Sequence, residues 1–326
     1  MSDRAPGRPL ETPAAGAGDL PLVRSGPAVA PRPAAPASAP ARFPLQPLGH
    51  LDALWIQVAG TLCNLRCTHC FVSCGPGDER HALMTRKEVR GRVAEGLRLG
   101  VKEFYFTGGE PFLHPEMIEI LADTIASGPC TVLTNGTLFT RPRLEGLRRL
   151  TDSSRYTLEI RVSLDGWRAE DHDRIRGAGS FERAVTGLAR LAEYELLPLV
   201  TVTQNSDEDP DAFRERYLAM LRGAGLPRPR LKVLPMFRLG RETGRTRGYT
   251  PEESLADLPP ESFDPTRLQC HSCRAVSSRG VFVCPLLVDE DGAHMGERLD
   301  QALGPFELRH GACSTCYATG MTCGNG

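Results

Sequence analysis

Residues 53–70 read ALWIQVAGTLCNLRCTHC. An apolar strand segment, 53–58, runs into a loop in which Cys63, Cys67 and Cys70 have the spacing C-x3-C-x2-C. Loops at the carboxyl ends of strands are where α/β folds build their sites. Three thiolates on one short loop can hold three irons of a [4Fe–4S] cluster, which leaves the fourth iron open. A zinc site is the alternative, with Cys74 or His69 as a fourth ligand.

Strand and helix patterns alternate along the chain on both sides of this loop. The predicted strands are 53–58, 102–106, 131–134, 157–163, 198–203 and 230–234. The predicted helices lie near 86–99, 115–126, 141–150, 181–193 and 211–223. This alternation predicts βαβ units and therefore an α/β fold with a parallel sheet or barrel.

Short polar motifs follow successive predicted strands. They are TGGEP at 107–111, TNGT at 134–137, SLDG at 163–166, HDRIRG at 172–177, Asn205 after TVTQ, and LGR at 239–241. Two adjacent glycines let the backbone approach a ligand closely, and a neighbouring carboxylate can accept hydrogen bonds from an ammonium group. Each motif by itself could be an ordinary turn. Their order is the specific observation, because the carboxyl ends of parallel strands meet at one edge of the sheet.

Together, the cysteine spacing and the ordered motifs resemble the radical SAM superfamily over most of residues 51–326. The resemblance implies a partial (β/α)6 TIM-like barrel with a [4Fe–4S] cluster on Cys63, Cys67 and Cys70. It also implies S-adenosylmethionine (SAM) as the second cofactor. In that family, reductive cleavage of SAM gives a 5′-deoxyadenosyl radical that abstracts a hydrogen atom from the substrate.

The resemblance also assigns individual residues. Gly108, Gly109 and Glu110 match the motif that cradles the SAM amino group, Ser163 matches a ribose contact, and Arg176 matches the partner of the SAM carboxylate. Asn205 matches a polar position on the adenine side. His69 stands where the family usually has an aromatic residue against adenine. The LGR turn resembles a recurring turn of the family, and the resemblance assigns no role to it.

Six further cysteines lie near the C-terminus: Cys270, Cys273, Cys284, Cys313, Cys316 and Cys323. They resemble the SPASM or twitch regions that hold auxiliary iron–sulfur clusters. One four-thiolate cluster could use Cys270 or Cys273 together with Cys284, Cys313 and Cys316. Alternatively, the first three and the last three cysteines could each hold a cluster, and structural zinc is a third possibility. Cys74 and Cys130 are predicted to be buried bystanders.

Composition completes the domain and partner predictions. Residues 1–48 contain 11 Pro and 11 Ala and are predicted to be a disordered tail. Residues 49–245 form the predicted core barrel, and 246–326 form a linker and auxiliary-cluster domain with a hairpin and a short helix at 297–304. The net charge of −1 gives no general attraction to nucleic acid or membranes. The odd, clustered cysteines without a secretory signal predict a reducing cytoplasm.

The sequence therefore predicts a radical SAM oxidoreductase that acts on a side chain of a ribosomal peptide or protein. A small-molecule dehydrogenase, epimerase or cyclase is the first alternative, and a non-catalytic metal-binding scaffold is the second. The predicted partners are the peptide or small-molecule substrate and a reductant such as flavodoxin or ferredoxin.

Overall fold

A nine-stranded sheet dominates the computed structural model, which describes residues 43–203 and 208–320. The strands of the described residues are β1 Leu45–Gln46, β2 Ala53–Ile56, β3 Glu103–Phe106, β4 Cys130–Thr134, β5 Leu158–Ser163, β6 Leu199–Thr203, β7 Arg230–Leu234, β8 Cys273–Ser277, β9 Gly280–Phe282, β10 His294–Gly296 and β11 Phe306–Glu307. The α-helices are α1 Arg86–Arg98, α2 Met117–Ile125, α3 Arg141–Ser153, α4 Ala169–Arg176, α5 Ser180–Glu193, α6 Pro210–Gly223, α7 Glu242–Arg245 and α8 Gly311–Thr319.

Strands β2 to β7 are neighbours in chain order and run parallel, with helices between them. Local signals set the ends of the helices. Thr85 and Glu88 form a capping box at the start of α1, and Asp209 caps α6 ahead of Pro210. The predicted partial (β/α)6 barrel is confirmed.

The alternation of side chains along each strand creates two different surfaces. Leu54, Ile56, Phe104 and Phe106 belong to the apolar cluster that includes residues of the surrounding helices, and all four are fully buried. Burying a side chain of this size stabilises the fold by about 1.5–3 kcal/mol. Trp55 of β2, Leu133 of β4 and Arg161 of β5 instead line the cavity described below, so the sheet itself positions the site.

The C-terminal cysteine region joins the same sheet. β8 pairs parallel with β2, placing Cys273 opposite Ala53, and β9 and β10 continue the sheet in antiparallel fashion. The predicted hairpin is present, and the predicted short helix is a 3-10 turn at Leu299–Ala302. The described barrel and C-terminal region both fall within one compact unit, Ala41–Gly326. The functional division at residue 245 stays a prediction.

The predicted tail, 1–48, lies outside the described residues as far as position 42. Its last part is structured, because Leu45–Gln46 forms β1 and pairs antiparallel with β11. Among the described helices, none combines the length and the apolar character that crossing a bilayer requires.

Candidate cofactor site

The cysteine loop, residues 61–75, leaves β2 and presents three thiols to a single cavity of about 220 Å³. Cys63, Cys67 and Cys70 carry free thiols, and the first two are buried. The cavity brings together seven of the residues predicted from sequence: Cys63, Cys67, Cys70, Gly108, Gly109, Ser163 and Arg176. Asn205 and Cys323 lie outside the described residues.

Gly108 and Gly109 allow the cysteine loop to pack directly on the end of β3. A Cβ atom at Gly109 would lie 2.0 Å from the carbonyl oxygen of Leu62, far inside van der Waals contact. The Gly109 N–H donates to the Gly60 carbonyl over 2.9 Å. Gly108 has a φ of +117°, a conformation that favours glycine. The two glycines thus fix the position of the loop that carries the thiols.

Replacing Gly109 with alanine is therefore expected to displace the cysteine loop and lower its capacity for iron. Gly91→Ala is the matched control, because a Cβ at this position in α1 would meet no atom within 4 Å. The control should gain roughly 0.5–1 kcal/mol of stability from helix propensity. Iron content after anaerobic reconstitution and the Tm of both variants test the prediction. Equal iron content in the two variants would show that the close approach of Gly109 to Leu62 is not needed for iron binding.

Glu110 is completely buried, and both of its carboxylate oxygens are engaged. One accepts hydrogen bonds from the Phe112 N–H at 3.0 Å and the Thr134 hydroxyl at 2.7 Å. The other accepts from the Asn135 N–H at 2.8 Å. Burial raises the pKa of Glu110, opposed by these hydrogen bonds. Glu110 therefore ties the ends of β3 and β4 together, and its role toward an ammonium group stays a prediction.

Asp165, in the SLDG motif, organises one wall of the cavity. Its Oδ2 atom lies 2.5 Å from Arg176 Nε and 2.7 Å from His69 Nε2, and its Oδ1 accepts from the Thr203 N–H at 3.1 Å. Burial opposes ionisation, yet the charges of Arg176 and His69 and these hydrogen bonds hold the pKa of Asp165 well below its usual range. Asp165 was not among the predicted site residues, since an Asp before Gly is also typical of a turn.

Arg241, in the LGR turn, fastens the cysteine loop from its other side. Its guanidinium donates to the carbonyls of Cys67 at 2.8 Å, Ser73 at 2.6 Å and Cys74. Its backbone N–H donates to the Cys70 carbonyl at 3.1 Å. Gly240 precedes it with a φ of +53°, and a Cβ there would lie 2.5 Å from a carbonyl oxygen of the loop. The turn to which the sequence assigned no role is thus a clamp on the cysteine loop.

Cys74 and Cys130, the two predicted bystanders, differ in their surroundings. Cys130 is buried within the apolar core, and burial raises its pKa. Cys74 is buried beside the loop cysteines, and its N–H donates to Cys70 Sγ at 3.3 Å. A hydrogen bond from the Cys74 thiol also lowers the pKa of Cys70. Cys74 therefore has a partner that its spacing does not suggest.

Four C-terminal thiols form a second group, which we call the C-terminal cysteine set: Cys270, Cys284, Cys313 and Cys316. Cys270, Cys313 and Cys316 are buried in one apolar cluster, and Cys284 packs against it. Burial and the nearby Cys316 raise the pKa of Cys270 to about 12. Burial, followed by the charges of Cys284, Cys270 and Cys316, raises the pKa of Cys313. Cys273 lies elsewhere, in the apolar cluster that contains Cys63, Cys67 and Cys74.

The donors present fit iron–sulfur clusters. Cys63, Cys67 and Cys70 are soft ligands on one loop that opens on a partly enclosed apolar cavity, and thiolates are the usual ligands of such clusters. Within residues 43–203 and 208–320, no group of three or more His, Cys, Asp or Glu side chains could hold a single metal ion.

Comparison with known proteins identifies this region. The profile of the radical SAM superfamily matches residues 58–205. Mycofactocin maturase MftC of Mycobacterium tuberculosis is 32% identical over 49% of this chain and 41% of its own length. GTP 3′,8-cyclase of Rhodopseudomonas palustris is 25% identical over 84% of this chain and 74% of its own length. This chain thus spans less than half of the first of these relatives.

Among solved structures, that of Streptococcus suis SuiB bound to precursor peptide SuiA has a similar fold. Its TM-score is 0.59 at 14% identity, covering 78% of this chain and 65% of the SuiB chain. The profile match confirms the predicted cofactors of this domain, a [4Fe–4S] cluster and SAM. Residues 58–205 of the chain therefore form a radical SAM domain.

Proposed function

We propose that this protein is a radical SAM enzyme of the SPASM or twitch type that modifies a side chain of a ribosomal peptide or protein. The observation that carries the proposal is the convergence of Cys63, Cys67 and Cys70 on the cavity that Ser163 and Arg176 also line. When bound, the cluster and SAM supply one-electron chemistry that removes a hydrogen atom from a substrate. The protein supplies the binding, the orientation and the exclusion of water.

Each part of the protein has a defined task in this proposal. The cysteine loop holds the cluster that binds SAM, and Gly109 and Arg241 hold the loop. Asp165 orients Arg176, which is the proposed partner of the SAM carboxylate. Apolar side chains such as Leu65, Val72 and Leu133 line the cavity and limit the access of water to it. The C-terminal cysteine set holds an auxiliary cluster.

The peptide substrate is supported by two relatives. SuiB was solved with its precursor peptide and has a similar fold. MftC is a maturase and shares 32% identity with this chain over the region compared. A reductant of the flavodoxin or ferredoxin type would supply the electron.

A small-molecule substrate is the second candidate. The observation that favours it is the extent of the similarity to GTP 3′,8-cyclase, which covers 84% of this chain. Assays of 5′-deoxyadenosine release with GTP and with peptides encoded beside this gene would separate the two candidates. Stimulation by GTP alone would favour the nucleotide.

Anaerobic reconstitution with iron and sulfide tests the proposal directly. Two cubic clusters predict about eight irons per chain, and reduction in the presence of SAM should release 5′-deoxyadenosine. Fewer than about seven irons would argue against a second cube. Reconstituted protein that never cleaves SAM would refute the enzymatic proposal and leave a metal-binding scaffold.

Cys67→Ala is expected to abolish 5′-deoxyadenosine formation, because two thiolates on the loop cannot hold the cluster that binds SAM. Cys130→Ala is the matched control, since this thiol is buried in the apolar core at the start of β4 rather than beside the loop. The control should keep its iron and its SAM cleavage. Retained cleavage in Cys67→Ala would remove our assignment of the first cluster.

A further inference from the structure

We propose that the cavity contains a subsite for a carboxylate group of the substrate, formed by Trp55, Gln57, Arg161 and Lys232. All four residues line the cavity that contains the cysteine loop. The inference rests on the proposed function, because it takes this cavity as the place where the substrate lies.

The strands place these residues inside the barrel. Trp55 lies opposite Tyr105, Arg161 opposite Leu133, and Lys232 opposite Thr201 in the sheet. Ser163 follows Arg161 by two residues and therefore lies nearer the carboxyl end of β5 on the same face. The interior of such barrels is usually filled with branched apolar side chains. Arg161 and Lys232 are cationic side chains that line this interior, which indicates a binding role.

Arg161 is held rigidly in this position. Its side chain is only 3% exposed, and its Nε donates to Glu159 at 2.7 Å. Its guanidinium carbon lies 5.5 Å from the centre of the Tyr105 ring. Tyr105 in turn stacks on Trp55, with ring centres 4.3 Å apart. A cation fixed by a carboxylate and by stacked rings loses little conformational entropy when it binds an anion.

Two polar atoms of residues that line the cavity point to a ligand. Trp55 Nε1 and Gln57 Oε1 are buried, and neither has a hydrogen-bond partner among the described residues. Leaving such an atom unsatisfied costs about 1–3 kcal/mol, so a bound ligand would be expected to satisfy it. Trp55 offers a donor to a carboxylate oxygen, and Gln57 offers an acceptor to an amide N–H.

A carboxylate beside an amide N–H is the chemistry of an acidic amino-acid residue or of a peptide C-terminus. Arg161 and Lys232 supply the matching positive charge. Two cations of the cavity have carboxylate partners: Arg161 lies 2.7 Å from Glu159, and Arg176 lies 2.5 Å from Asp165. The structure therefore favours a peptide substrate with a carboxylate close to the modified position.

Lysine labelling tests this subsite, because Lys87, Lys102 and Lys232 are the lysines of the chain. Loaded protein saturated with SAM would be treated with an amine-reactive reagent under anaerobic conditions, and labelling at each lysine would be measured by mass spectrometry. The probes are acetyl-Gly-Glu-Gly-amide, its Gln counterpart, the Gln peptide with a free C-terminal carboxylate, and GTP. Lys87 and Lys102 are exposed internal references.

We expect a carboxylate probe to slow labelling of Lys232 at least about threefold, the effect of occupying two thirds of the sites. Labelling of Lys87 and Lys102 should not change. The probe that protects Lys232 will show whether the carboxylate belongs to a side chain or to a peptide C-terminus. Equal protection by the amide peptide, protection by GTP alone, or no protection would overturn the proposal. Protection by SAM without a probe would assign Lys232 to the cofactor and also overturn it.

Matched variants test binding of the carboxylate probe without relying on lysine labelling. Lys232→Met should remove the preference for the carboxylate probe over the amide probe in anaerobic calorimetry, and Lys102→Met should keep it. A preference that survives in Lys232→Met would contradict the subsite. SAM cleavage by the same samples is measured in parallel. A failure of the proposed function would appear there and would leave the labelling result readable.

Discussion

Replacing Arg241 with alanine is expected to prevent the cysteine loop from binding its cluster. The iron content should then fall by about four irons per chain. The arginine bonds the carbonyls of Cys67, Ser73 and Cys74 through its side chain. Each such charge-assisted hydrogen bond contributes about 1.5–3 kcal/mol. The loop would therefore lose most of the hydrogen bonds that hold it in place on the side of the LGR turn. Iron content and the electron paramagnetic resonance signal of each cluster provide the measurement.

Two further variants sharpen this test. Arg241→Lys should recover only part of the iron, because a single ammonium group lacks the planar fork that reaches three carbonyls at once. Arg90→Ala removes an arginine whose side chain is 67% exposed and should leave both clusters intact. The signal of the C-terminal cysteine set should persist in Arg241→Ala. A full complement of iron in that variant would show that the clamp is dispensable.

The regular part of the fold could be predicted because its signals are local. Apolar runs predicted β2 to β7, and amphipathic spacing predicted α1, α2, α3, α5 and α6. Helix α4 was missed because most of its residues are polar, although Ile175 and His172 are buried. Helix α8 was missed because its sequence, GACSTCYAT, has almost no amphipathic pattern. Packing of its cysteines determines its position, and packing has no local signature.

The contacts that shape the site could not be predicted from the sequence. Arg241 meets Cys67 across 174 positions of the chain, and His69 meets Asp165 across 96. No short motif records such pairs, because they arise only when the strand ends converge. The loop cysteines were recognisable since they are ligands from one short segment. The residues that support them come from distant segments and become visible only in three dimensions.

The C-terminal cysteine set gives the second large effect: Cys270→Ala is expected to lose about four irons, and Cys273→Ala is expected to retain them. The sequence alone left these two residues as equal candidates. The structure separates them, since Cys270 shares a buried cluster with Cys313 and Cys316. Cys273 begins β8 and packs on the barrel side, in the cluster that includes Cys63 and Cys67. Iron analysis of the two reconstituted variants, with Mössbauer spectroscopy of the remaining clusters, provides the test.

The result also decides what the auxiliary cluster can do. Four thiolates from Cys270, Cys284, Cys313 and Cys316 would satisfy all four irons of a cube, so no iron would remain open to a substrate. Such a cluster could accept or deliver electrons, and Cys284 is well placed for this because it packs against both cysteine-containing apolar clusters. Loss of iron in both variants would instead indicate three-thiolate ligation that involves Cys273. An open auxiliary iron would then be available, and substrate binding would have to be sought there as well as at Lys232.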